Sequence, residues 1–96
     1  MLLLLSIFAD ANRLKDLKQG NKMTKKDLFD RIEYVVACVG AFAQRHKLSN
    51  AQSYAYLRRY AGIDFLLDCY GAEHTLSIDD AISDLKVICN REGGKI

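Results

Sequence analysis

The stretch LFDRIEYVVACVGAFAQRH, residues 28–46, decides the fold. At 3.6 residues per turn it makes a helix of about five turns, with Leu28, Ile32, Val35, Val36, Val39, Phe42 and Ala43 on one side. Phe29 and Cys38 widen that side to roughly half the circumference, well beyond the ~100° stripe of an ordinary surface helix. The opposite side begins with Asp30 and Glu33 and then turns small, at Ala37, Gly40 and Ala41. A helix of this kind needs neighbours on more than one side and reads as the central post of a small helical domain. Its small strip admits close approach by another helix, either the second or fourth of this chain or the same strip of a second copy. His46, in the last turn, reads as a structural imidazole where the helix dipole favours a cation.

Just upstream, Thr24-Lys-Lys-Asp27 is a helix start, with a hydroxyl N-cap and an acid three residues on. Met23 therefore stands where the natural amino terminus of the domain would fall. Residues 1–22 have a different character. Leu2 to Ala9 is an apolar run far short of the ~20 residues that cross a bilayer. It resembles the apolar region of a secretory signal, with Ala9-Asp10-Ala11 as a cleavage site, but the basic segment before it is missing. Gln19-Gly20 must be encoded by a purine-rich string of the ribosome-binding type, shortly before the Met23 codon. Residues 1–22 are thus expected to be a leader or an upstream start, and residues 23–94 the domain. The alternative is an amphipathic arm that docks Leu14 and Leu17 on the domain.

Downstream, the first helix is expected to run to Lys47. Ser49-Asn50-Ala51-Gln52 is a second capping box. It opens a helix over 50–61 centred on Leu57, flanked by Tyr54, Tyr60 and Ala61, with Gln52, Ala55, Arg58 and Arg59 outward. Gly62 is placed as its left-handed terminator. Asp64 is expected to cap a short apolar third helix, 65–70, closed by Gly71. Ser77-Ile78-Asp79-Asp80 starts a fourth, with a hydroxyl cap and acids in its first turn. That helix carries Ile78, Ala81, Ile82, Leu85, Ile88 and Cys89 inward and frays over 90–94. The fold class is all-α, four helices around the first.

Half of the 96 residues are hydrophobic and none is proline, which suits a helical globule. The net charge of +2 sits wholly before Met23, and the domain proper is neutral, unlike a nucleic-acid module with its positive excess on the folded part. Cys38, Cys69 and Cys89 are an odd set without C-x-x-C spacing, expected reduced and buried, as in a cytoplasmic protein. No membrane span and no cofactor motif is present.

Several residues invite a chemical reading. His74-Thr75 sits in the connection before the last helix, where an imidazole can bind or move protons, but where both can also satisfy helix-end backbone. Cys69 with His74 makes a weak nucleophilic pair, because the carboxyl end of a helix disfavours a thiolate. Asp79, Asp80 and Asp84 suggest a metal less well than helix capping. Arg58 and Arg59 with Tyr56 and Tyr60 form the most partner-like surface, since Tyr and Arg supply interface anchors.

Taken together, Tyr34-Val-Val-Ala-Cys-Val-Gly-Ala-Phe42, Ala55-Tyr-Leu-Arg-Arg-Tyr60, Gly62-Ile-Asp-Phe65 and the Tyr70 to His74-Thr75 spacing resemble a family of short bacterial helical domains of unknown function. The resemblance covers about residues 27–90. It implies a stand-alone cytoplasmic domain. Members stand beside genes for ADP-ribosyltransferase-like toxins, which implies an accessory or antitoxin role.

The expectation is therefore a non-catalytic protein-interaction module that binds a protein partner or its own copy through Tyr56, Arg58, Arg59, Tyr60, His74 and Thr75. It needs no metal or cofactor. A helix-turn-helix DNA-binding protein is the alternative, weakened because Phe65-Leu-Leu-Asp-Cys-Tyr70 offers no base-reading side chain. An enzyme using His74 is the third reading.

Overall fold

A computed structural model describes residues 24–96, so the readings made for residues 1–22 lie outside the described residues. The described chain is all-helical and contains no strand. Its elements are α1 (Lys25–His46), α2 (Asn50–Arg59), α3 (Gly62–Asp68), α4 (Tyr70–Glu73) and α5 (Ile78–Arg91).

Both capping boxes form as their sequences require. Thr24 accepts from the Asp27 N–H while Asp27 reaches back to the Thr24 N–H. Ser49 and Gln52 do the same for α2, at 3.0 and 2.9 Å, and Ser77 accepts from the Asp80 N–H to start α5. α1 closes on Lys47, which adopts the left-handed conformation at φ 56°. Leu48 then donates its N–H to the Ala43 carbonyl and packs on the core, the pairing that commonly ends a helix.

α1 is covered by α2, α3 and α5. Val35, Cys38, Val39 and Phe42 have no solvent exposure, and they meet Leu57 of α2, Ile63, Leu66 and Leu67 of α3, and Ile82, Leu85 and Cys89 of α5 in one core. Ser53, the buried polar residue of α2, donates its hydroxyl to the Val39 carbonyl at 2.8 Å. Its small side chain lets α2 lie close on α1, and the bond satisfies a hydroxyl that would otherwise be costly to bury.

Several details differ from the sequence expectations. Phe29 and Val36 lie 54% and 39% exposed, outside the buried face. The apolar half of α1 is therefore wider than the face its neighbours cover. The small strip is not closed by α2 or α5 either. Ala37 is exposed, and a Cβ added at Gly40 would meet nothing within 4 Å. Finally, Gly62 is not the left-handed terminator of α2. Ala61 takes that conformation, at φ 67°, and Gly62 is the first, buried residue of α3. Its need is space. A Cβ there would lie 2.9 Å from Leu57 Cδ2, 3.1 Å from the Leu57 carbonyl oxygen and 3.2 Å from Cys89 Sγ.

The third expected helix, 65–70, is accordingly shifted and split. α3 begins at Gly62 because the turn at Ala61 comes one residue early, and Asp64 lies in its first turn, not at its cap. Gly71 ends nothing. It lies inside α4, whose Glu73 N–H donates to Cys69 O at 2.8 Å. α5 also stays helical through Arg91, with no fraying at Asn90.

Gly62→Ala is expected to lower stability by about 1–3 kcal/mol through overpacking, whereas Gly40→Ala should be neutral or stabilising by about 0.5–1 kcal/mol. Thermal or urea melts of the two variants beside the parent measure the contrast. Equal effects would contradict the packing described at Gly62.

Candidate functional site

The residues singled out from the sequence fall into two groups that meet different parts of α1. Tyr56 stacks on Phe42, with ring centroids 5.7 Å apart, and Tyr60 lies 4.8 Å from Tyr56. The Arg59 guanidinium sits 5.4 Å from the Tyr60 ring, and His46 lies 4.4 Å from Phe42 on the other side. A continuous run of rings thus extends from the end of α1 to the end of α2.

Neither tyrosine is a free surface group. Tyr56 Oη accepts the Ile96 N–H at 3.1 Å, and the Gly94 backbone lies so close to Tyr56 that a side chain there would collide with it. Gly93, at φ 105°, turns the chain to reach this position beside Tyr60. Ile96 packs on the core. Within the group it is Arg58 and Arg59 that stand exposed.

His46 differs from its sequence reading. Burial, with Lys86 and Arg45 nearby, holds its pKa below the ordinary 6.5, and its Nε2 is buried without a hydrogen-bond partner. Desolvation and like charge outweigh the helix dipole here, so the neutral imidazole is favoured.

The second group surrounds Tyr70, about three turns nearer the start of α1. Tyr70 is held between the Arg31 guanidinium, 4.6 Å from its ring, and the His74 imidazole, stacked at 4.3 Å. Tyr34 meets it edge-on at 5.6 Å. His74 Nδ1–H donates to the Tyr70 carbonyl at 2.6 Å, and Thr75 donates its hydroxyl to the Ala72 carbonyl at 2.7 Å. Both side chains therefore satisfy the end of α4. Arg31 also donates to the Leu67 carbonyl at 3.2 Å, capping α3.

Beneath this group is a residue the sequence did not announce. Glu73 is only 7% exposed, and its Oε1 has no hydrogen-bond partner; nor does Tyr34 Oη. Burial, then the influence of Asp84 and of Asp80, push the Glu73 carboxyl up to about 7. Burial, with Glu73 nearby, likewise raises the Cys38 thiol to about 11, and the Tyr34 phenol is raised chiefly by burial. A thiol held that far above neutrality is a core group. Nothing in residues 71–73 flagged this position, because the apolar pattern stops at Tyr70.

The acids of α5 have local roles. Asp79 pairs with Arg45 at 2.9 Å, and Asp80 lies at the Ser77 cap. Among the described residues no group of three or more His, Cys, Asp or Glu is placed to hold a metal ion. On α3, the would-be recognition helix, Ile63, Leu66 and Leu67 are buried, and the exposed side chains are Asp64 and Asp68. Acids facing outward repel a phosphate backbone. No helix among the described residues is long and apolar enough to cross a membrane.

Residues 33–92 match the model of a family described as "Protein of unknown function (DUF3791)". No curated protein and no solved structure matches the chain.

Tyr56→Phe, which removes only the acceptor for the Ile96 N–H, is expected to cost about 1 kcal/mol. It should also free the last residues of the chain, seen as loss of Ile96 amide protection in hydrogen exchange. An unchanged Ile96 amide would contradict the anchoring role.

Proposed function

The chain belongs to that family of unknown function, and from that premise we propose that it is a non-catalytic protein-interaction module whose contact surface is the uncovered face of α1. The observation that carries this reading is the exposure of Phe29 and Val36, one heptad apart, beside the open positions Ala37 and Gly40. Large apolar side chains flanking a small-residue strip suit a partner helix, because the strip allows close approach and the rims supply apolar area. Arg58 and Arg59 are the proposed polar contacts of a partner, with the Arg59 guanidinium lying over the Tyr60 ring. His74 and Thr75 take part only by ordering the α4 end.

The partner is a protein. The sequence pattern shared with bacterial domains that stand beside ADP-ribosyltransferase-like toxins makes such a toxin the first candidate, with this chain its cytoplasmic accessory or antitoxin. A second copy of the chain is the competing occupant. DNA binding is the weaker reading, because α3 presents acids to solvent.

The test is capture of an ADP-ribosyltransferase-like toxin, the proposed partner, by the tagged full chain, comparing the parent with Phe29→Asp/Val36→Asp and with Arg58→Glu/Arg59→Glu. The expected result is that the first pair abolishes capture and the second weakens it roughly tenfold or more, with helicity by circular dichroism unchanged. Capture unaffected by Phe29→Asp/Val36→Asp would show that the α1 face is not the contact.

A further inference from the structure

We propose that the ring surface of Phe42, Tyr56 and Tyr60 is a peptide groove, closed in cis by the chain's own residues 93–96, Gly-Gly-Lys-Ile. When this strap lifts, the groove takes an extended Gly-Gly-x-aliphatic segment of a partner protein.

The seated strap shows how such a segment is read. Gly93, at φ 105°, holds a conformation that favours glycine, and a Cβ there would meet Tyr60 Cε1 at 3.9 Å. Gly94 lodges beneath Tyr56, where a Cβ would lie 2.9 Å from the Cys89 carbonyl oxygen and collide with the phenol. Ile96 donates its N–H to Tyr56 Oη at 3.1 Å and packs, half-buried, on the core. Lys95 between them is exposed, so its side chain is not selected. The Asn90 side-chain amide lies 3.2 Å from the Gly94 carbonyl and 3.3 Å from the Ile96 carbonyl, its NH2 turned to donate to both. Tyr56 Oη and Asn90 Nδ2 thus bind main-chain groups that any extended segment offers, while the two glycine positions and the aliphatic one select the sequence.

The strap is also the part of the groove that opens most readily. It lies beyond the end of α5, to which it is tied by Gly93 N–H to the Asn90 carbonyl at 3.2 Å and Gly94 N–H to the Cys89 carbonyl at 2.8 Å. It orders four residues, two of them glycines that lose the most freedom, for one half-buried aliphatic side chain. Segments with so little buried area open locally without unfolding the core. The groove does not leave with it. Phe42 is fully buried in α1, and Leu57, next to Tyr56 on α2, is fully buried as well.

A partner segment must compete with a tethered one, so its apparent affinity is scaled by the fraction of time the groove stands open. This contact lies apart from the uncovered α1 face and adds a second, masked one to it.

The probe is the peptide acetyl-Gly-Gly-Lys-Ile, titrated into the isotope-labelled full chain and followed by amide shifts. Gly94→Val, which does not fit beneath Tyr56, and separately Ile96→Asp, which removes the apolar anchor, lift the strap. Saturable shifts at Tyr56, Tyr60 and Asn90 are expected in these variants, with a Kd about tenfold or more below the parent's. The peptide acetyl-Gly-Val-Lys-Ile should not bind. Adding Phe29→Asp/Val36→Asp to Ile96→Asp should leave binding unchanged, so the groove and the α1 face fail separately. Saturable binding to neither strap-lifted variant, a parent that binds as tightly as they do, or equal binding of the valine peptide would overturn the groove. So would a dimer of the parent that Gly94→Val abolishes, because the occupant would then be a second copy. Amide exchange of the parent, corrected for intrinsic rates, needs no variant. Gly94 and Ile96 are expected to exchange on the order of tenfold or more faster than Val39, and exchange no faster than Val39 would show that the strap does not lift.

Discussion

The constraint on which everything else rests is the complete burial of one column of α1, at Val35, Cys38, Val39 and Phe42. A chain this small buries only about 60% of the surface its unfolded form exposes, so no element can be wasted on anything but covering that column. α2 is fixed to it by the Ser53 bond to the Val39 carbonyl, α3 by its continuous apolar face, and α5 by Ala81, Ile82, Leu85 and Cys89. The close approach at Gly62 follows from the same demand, since α2, α3 and α5 crowd together where Leu57 meets Cys89.

Covering α1 with short elements leaves its two edges unequal. One edge, with Arg31 and Tyr34, is covered by Tyr70 of α4, against which both pack, with the buried Glu73 on the same short helix. The other edge, with Phe29, Val36 and Gly40, receives nothing among the described residues. The covered edge holds a buried carboxyl, Glu73, whose pKa burial raises. The open edge holds apolar area whose value lies in contact with another molecule. Each property arises because four helices, one of them a single turn, surround a 22-residue post.

Much of this was legible in the residues. The three hydroxyl caps start α1, α2 and α5 at the expected positions, because a capping box is a local bargain between residues three apart. Most core positions follow from period, but Ile78, read as inward at the start of α5, is 37% exposed. What periodicity cannot show is how far a neighbour reaches around a helix, so Phe29 and Val36 read as core and are not. Nor can it separate the two uses of glycine: Gly62 looks like a terminator but serves packing, while Ala61 accepts the left-handed turn. Glu73 and Ser53 escaped for a related reason. Each is polar in sequence and buried by the tertiary packing, Ser53 against the Val39 carbonyl of α1. Tyr56 and Tyr60 looked like surface anchors because the chain's own last residues, which cover Tyr56, carry no pattern that foretells it.

The most direct measurement of the two-edged burial of α1 is a thiol-accessibility scan in the full chain, with Cys69→Ser removing the half-exposed native thiol. Val35→Cys and Val39→Cys sit on the buried column, and Val36→Cys and Gly40→Cys on the open edge. Rapid modification at positions 36 and 40 with protection at 35 and 39 is the expected result. Equal reactivity at all four, or protection at 36 and 40 in the isolated chain, would contradict it.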